Sequence, residues 1–122
     1  MLKQKTHFSI GELCDEFAVT ARALRFYEDE RLIAPERRGT QRIYTERERA
    51  RLAWILRGKR VGFSLAEIKE LLDLYDVGDG RKTQRLKTLE HCRDRIATLE
   101  RQRVDIDVTI NELNDFIKLL NG

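Results

Sequence analysis

The residues able to carry covalent or metal chemistry are few and scattered in this sequence. Cys14 and Cys92 lie far apart, form no CxxC pair and cannot build a disulfide framework. His7 and His91 are equally dispersed, so neither a chelating set nor a nucleophile–base pair stands out. His91 adjoins Cys92, but neighbours on a helix point about 100° apart. No catalytic residue, no metal ligand and no cofactor is expected, and an enzyme is the weakest reading. What the chain does offer is cationic and aromatic. Arg22, Arg25 and Tyr27 fall in one short stretch, Arg38, Arg42 and Tyr44 in the next, and Lys59 and Arg60 follow. Side chains of these types hold phosphate oxygens and read guanine edges.

The charge distribution carries the same message. The 122 residues hold 24 Lys/Arg and 21 Asp/Glu, a net charge of +3. Residues 1–63 hold 14 basic and 9 acidic residues, or +5, and residues 64–122 hold 10 and 12, or −2. Between Arg37 and Arg60 there are nine basic residues and two acidic ones, giving +7. A basic front and an acidic back suggest a polyanion bound at one end, against the plainer alternative of a solvated basic face. With 37% charged and 41% hydrophobic residues, the chain is neither a disordered polyelectrolyte nor a membrane protein. No apolar run approaches the roughly 18 residues that span a bilayer. The N-terminus lacks the apolar stretch of a signal peptide, so a cytoplasmic protein without a membrane partner is expected.

The positioning elements follow from helix punctuation. Ser9-Ile-Gly-Glu12 is a capping box opening a helix whose apolar stripe is Ile10, Leu13, Cys14 and Phe17. That helix ends near Ala18-Val19, and Thr20 caps a second one from Ala21 to about Glu30. Two short helices joined by a tight turn make a helix-turn-helix, with Arg22, Arg25 and Tyr27 on the helix free to enter a groove. Pro35, Gly39 and the alternation of Arg42-Ile43-Tyr44 then predict a short two-stranded hairpin, a wing basic at its tip. Thr45-Glu-Arg-Glu48 reads as a second capping box for a helix over about 46–60, with Leu52, Ile55 and Leu56 inward. Ser64-Leu-Ala-Glu67 is a third, for a helix over about 65–75 with the stripe Ile68, Leu71, Leu72 and Tyr75. Residues 76–80 read as a turn or linker.

From there one helical pattern runs to the end. Its seam is Leu89, Cys92, Ile96, Leu99, Arg103, Ile106, Ile110, Leu113, Ile117 and Leu120, spaced three and four residues apart without a break. That is a coiled-coil signature, and a seam so long needs a second copy, so a homodimer is expected. Arg103 sets the orientation. In an antiparallel pair in which position n faces 209 − n, Arg103 meets Ile106 of the partner, near Asp105 and Asp107; in a parallel pair two arginines would be desolvated side by side.

Ser9-Ile-Gly-Glu-Leu13, Val19-Thr20, Leu24-Arg25-Phe26-Tyr27-Glu28, Leu32-Ile33, Pro35, Arg38, Arg42-Ile43-Tyr44 and Gly62-Phe63-Ser64-Leu65-Ala66-Glu67-Ile68 together resemble the MerR family of bacterial transcriptional regulators. The match runs from about residue 7 to 75 and continues into the dimerising helix. The run Leu56–Ser64 is similar to the branch that regulates branched-chain amino-acid or acyl-CoA breakdown. The resemblance implies a mainly α fold: a winged helix-turn-helix DNA-binding head over residues 7–76, then an antiparallel coiled-coil dimerisation helix over 81–120. It implies promoter DNA as partner, with a pseudo-palindromic spacer bent and untwisted to control RNA polymerase through the DNA. Three departures stand out. Ala23 replaces a frequent Thr. Arg31 replaces a usual Gly, which would store roughly 1 kcal/mol if that position is left-handed. The cysteine loop of metal-sensing members and the extra domain of drug-sensing members do not follow the long helix, so neither ligand is expected.

The DNA-binding candidates are therefore Thr20, Arg22, Arg25, Tyr27, Arg38, Arg42, Tyr44, Lys59 and Arg60. Two alternatives stay open among them: Tyr27 as a core aromatic, and Arg25 paired with Glu28 or Asp29. Ser64 reads as a cap, Cys14 as a small core hydrophobe, and Trp54 as partly buried. The competing functions are an architectural, excisionase-like DNA-bending protein and a coiled-coil module whose basic head docks on acidic partners.

Overall fold

The computed structural model describes residues 5–75, 78–79 and 81–122, so of the expected turn at 76–80 residues 76, 77 and 80 lie outside the described residues. The chain forms two units, Met1–Gln84 and Arg85–Gly122. In order, the elements are β1 (His7–Ser9), α1 (Ile10–Phe17), α2 (Ala21–Asp29), β2 (Glu36–Arg38), β3 (Gln41–Thr45), α3 (Glu46–Val61), α4 (Leu65–Leu74) and α5 (Lys82–Asn121). The fold is mainly helical, with a helix-turn-helix, a small sheet as wing and a long C-terminal helix.

Side-chain caps start the short helices where the sequence placed them. The Ser9 and Ser64 capping boxes are both closed in the two directions, and the Thr20 hydroxyl accepts the Ala23 N–H at 3.1 Å. The expected box at Thr45 is only half made. Thr45 accepts the Glu48 N–H at 3.4 Å, but the Glu48 carboxylate turns away and accepts the Ala34 N–H at 2.9 Å. Thr45 is the last residue of β3, paired with His7, and Glu48 is buried beside the chain that leaves α2. The carboxylate thus ties the loop between α2 and β2 to α3.

Both helices of the helix-turn-helix end on left-handed residues that are not glycine: Ala18 at φ 53° and Arg31 at φ 61°. Beyond α2, the Arg31 N–H donates to Glu28 O and the Leu32 N–H to Tyr27 O, both at 2.9 Å. This is the Schellman arrangement, and it drives Leu32 into the core. It also puts the arginine in a conformation costing about 1 kcal/mol that glycine would not incur. Arg31→Gly is accordingly expected to raise the melting temperature by about 4–8 °C at fixed protein concentration. A thermal melt showing no rise would contradict this.

The sheet is antiparallel in the order β1-β3-β2. The wing hairpin lies where the sequence puts it; β1, its third strand, was not foreseen. Arg38 pairs with Gln41 across Gly39-Thr40, and Gly39 sits at φ 64°, the first position of a two-residue turn that calls for glycine. The core of the head joins Leu13, Leu24, Leu32, Ile33 and Tyr44 to Leu52, Ile55, Ile68, Leu71 and Leu72. α4 approaches α3 at Gly58, where a Cβ would meet Ile68 Cγ1 at 2.9 Å. The first unit takes in the start of α5, where buried Gln84 donates from Nε2 to Leu71 O at 3.0 Å.

The second unit is helix alone. α5 has 40 residues, about 60 Å of rise. Along it Leu89, Ile96, Leu99, Ile106, Ile110, Leu113, Ile117 and Leu120 are all exposed. Val104, Val108, Phe116 and Leu119, off the seam, are exposed as well.

Candidate nucleic-acid interface

The helix-turn-helix presents its second helix by one face. Leu24 and Tyr27 point into the core, leaving Arg22, Arg25, Phe26 and Asp29 outward. The first turn of α2 carries no acidic residue, so its N-terminal amides and dipole face outward uncompensated. Thr20 caps this end from an exposed position, and its hydroxyl keeps a proton to donate. Among the described residues Arg22 and Arg25 have no ion-pair partner. The alternative pairing of Arg25 with Glu28 is not what the structure holds, because Glu28 is already occupied.

Glu28 is taken by the wing. Its Oε1 accepts from Arg37 Nη2 and its Oε2 from Arg42 Nε, each at 2.9 Å. The pleat explains why. Arg42 and Tyr44 share one face of β3, and Arg37 is directly opposite Arg42. That face looks onto α2, so Arg42 is drawn back to the recognition helix. Arg38, paired with Gln41, falls in the other phase. It is 64% exposed and only 3.9 Å from Glu36, a contact too long and too wet to hold it.

Two expected contacts are corrected by burial. Tyr44 is 0% exposed, and a side chain with no accessible surface cannot meet a phosphate. Its hydroxyl, buried without a hydrogen-bond partner among the described residues, has its pKa raised by desolvation first and by the Glu28 charge second. Tyr27 is 8% exposed and belongs to the core, as its alternative reading had it; burial raises its pKa too. Lys59 and Arg60 end α3 in the open. Arg57 joins them as an exposed cation that was not singled out.

Other cations of the basic run are engaged by partners within the head. Arg51 donates to Leu32 O at 2.8 Å and to Leu72 O at 3.4 Å, stitching α3 to the end of α2 and to α4. Arg49 grips Glu16 and Glu46, and the Glu16 hydrogen bond leads in raising its pKa. Arg47 donates to Glu48.

Cys14 is a poor nucleophile. Burial, and then Asp15, raise the Cys14 pKa against the opposing charge of Arg25, so the group stays a thiol at neutral pH. Both cysteines are free. Among the described residues no group of three or more His, Cys, Asp and Glu could hold a metal, and no helix is long and apolar enough to cross a membrane. Trp54 lines a shallow cavity of about 240 Å³ with Ala50, Leu72 and Tyr75.

Two family models match the chain: "MerR HTH family regulatory protein" over residues 8–75 and "MerR, DNA binding" over residues 49–116. The HTH-type transcriptional regulator ZntR of Escherichia coli K12 is 32% identical over 115 residues, covering 88% of this chain and 79% of that protein. Among solved structures, the transcription regulator PbrR691 of Ralstonia metallidurans CH34, in complex with lead(II), superposes with a TM-score of 0.67 at 29% identity, over 88% of this chain and 83% of that one. HiNmlR, a MerR-family regulator lacking the sensor domain and bound to promoter DNA, gives 0.62 at 26% identity, over 78% and 76%.

Proposed function

This chain belongs to the MerR family and is a DNA-binding transcriptional regulator rather than an enzyme; from that premise we propose that it acts as a homodimer on a two-fold-related promoter spacer. The dimer bends and untwists the spacer, and so controls RNA polymerase through the DNA. The observation that carries this reading is an outward recognition face with exposed Arg22 and Arg25, together with a helix whose apolar seam is exposed in the single chain.

In the antiparallel register every seam residue meets another. Leu89 faces Leu120, Cys92 faces Ile117, Ile96 faces Leu113, Leu99 faces Ile110, and Arg103 faces Ile106. Among the described residues Arg103 has no acidic ion-pair partner, so it is available to the partner's Asp105 and Asp107. Each head then meets one half-site. Arg22 and Arg25 reach base edges or phosphates in the major groove, while Thr20, Arg38, Lys59 and Arg60 hold the backbone. Arg42 acts through Glu28, by fixing the wing against the helix. Distortion of the spacer supplies part of the specificity, since its cost depends on sequence. The lead(II) belongs to PbrR691, and no metal role is proposed for this chain.

The test is selection of bound duplexes from a random pool, followed by fluorescence anisotropy at physiological salt. Enrichment of an inverted repeat is expected, with Arg22→Ala weakening that duplex about tenfold. Only salt-sensitive binding indifferent to sequence would refute the proposal.

A further inference from the structure

Among the described residues of the head, large apolar side chains are exposed at Phe26 and Val61. Phe26 stands in the middle of the recognition face, 45% exposed, one turn from Arg22 and beside Arg25. Its ring is braced by buried Tyr27, with centroids 5.8 Å apart and planes at 56°. An aromatic ring held open to water on a cationic surface asks for a ligand of its own kind. Phenylalanine has no donor or acceptor, so neither a phosphate nor a polar base edge can satisfy it. The apolar group that the major groove displays is the 5-methyl of thymine.

We infer that Phe26 is a specificity-determining residue that covers a thymine methyl in each half-site, an inference that rests on the promoter-binding reading above. The charges around it supply orientation, and the ring supplies discrimination between thymine and every pyrimidine lacking the methyl. Because Tyr27 fixes the ring before binding, little rotamer freedom is lost on contact.

The experiment uses the full-length protein and the strongest duplex selected from a pool of unmodified bases, so any methyl present belongs to thymine. Each thymine is replaced singly by deoxyuridine, which removes the methyl and leaves base pairing intact. One thymine per half-site should lose about fourfold in affinity for the wild type, the worth of one buried methyl group. In Phe26→Ala the same replacement should have no effect. Phe26→Leu, which keeps apolar bulk, should retain part of the dependence, and it carries the comparison if the alanine variant binds too weakly to measure. Methyl-indifferent binding by the wild type overturns the inference, as does an unchanged methyl dependence in Phe26→Ala. Failure to enrich any sequence overturns the promoter-binding reading and this inference with it.

Discussion

Ile110→Glu is expected to raise the dissociation constant of the dimer at least a hundredfold and to abolish operator binding with it. Ile110 is 49% exposed in the single chain, and the proposed antiparallel register sets it against the partner's Leu99. The pairing repeats by symmetry, so one substitution places two carboxylates in the seam. Each must be desolvated with no cation directly opposite, since the nearest seam cation, the partner's Arg103, lies four residues or about one turn along from the partner's Leu99. An unpaired charge of this kind costs several kcal/mol, and about 2.7 kcal/mol already makes a hundredfold. The head is a separate unit with its own core, so its helical signal and its thermal transition should persist. Sedimentation equilibrium reads the oligomeric state and anisotropy reads the DNA affinity. A variant that stays dimeric at micromolar concentration would remove the seam from the pairing surface.

The second large effect belongs to Glu48. Its side chain is 5% exposed, and its carboxylate carries the Ala34 N–H at 2.9 Å. Glu48→Ala leaves that amide without its acceptor and opens a void under the loop. The expected loss is about 2–3 kcal/mol, or roughly 10–20 °C in melting temperature for a head of this size. Glu48→Gln keeps an acceptor oxygen and should lose about half as much. The partner Arg47 is 54% exposed, so its release contributes little. Differential scanning calorimetry at fixed protein concentration separates the cases. Equal melting of the alanine and glutamine variants would show that the Ala34 bond does not matter. A weakened tie should also cost operator affinity, because the loop that it holds connects the recognition helix to the wing.

Much of this architecture was legible because helix starts are written locally. The Ser9 and Ser64 boxes need only a hydroxyl and a carboxylate three residues apart, and both closed as read. The same pattern at Thr45 misled. A carboxylate buried against a passing amide finds a better partner than its own helix start, and that amide, on Ala34, is distant in sequence. β1 escaped because three residues carry no periodicity; only its pairing with β3 makes it a strand. The wing was found but its facing was not. A one-residue difference in pleat phase sends Arg42 and Tyr44 inward and Arg38 outward, and alternation alone cannot say which phase meets the core. The count of basic residues likewise overstated the interface, since Arg49 and Arg51 are spent on internal partners that the linear charge tally could not reveal. Phe26 belongs to the stretch that carries the family resemblance, yet a lone apolar residue in an amphipathic helix gives no sign of which side it takes.

The ion pairs of Glu28 bear on the thermodynamics of association as well as on geometry. A protein that meets DNA with bare cations gains affinity by releasing the condensed ions of the duplex. At Arg37 and Arg42 this chain already carries a tethered counter-ion of its own. Phosphate can engage those two side chains only by exchanging with a carboxylate that cannot diffuse away, so no entropy of release is gained there. On the interface proposed above, the ionic-strength sensitivity of binding is expected to follow the side chains without an ion pair among the described residues, chiefly Arg22, Arg25, Lys59 and Arg60, with Arg38 only loosely held by Glu36. It is shallower than a head with a net charge of +7 between Arg37 and Arg60 would suggest. Such a regulator is expected to hold its site through changes in ionic strength that would strip a more openly basic one.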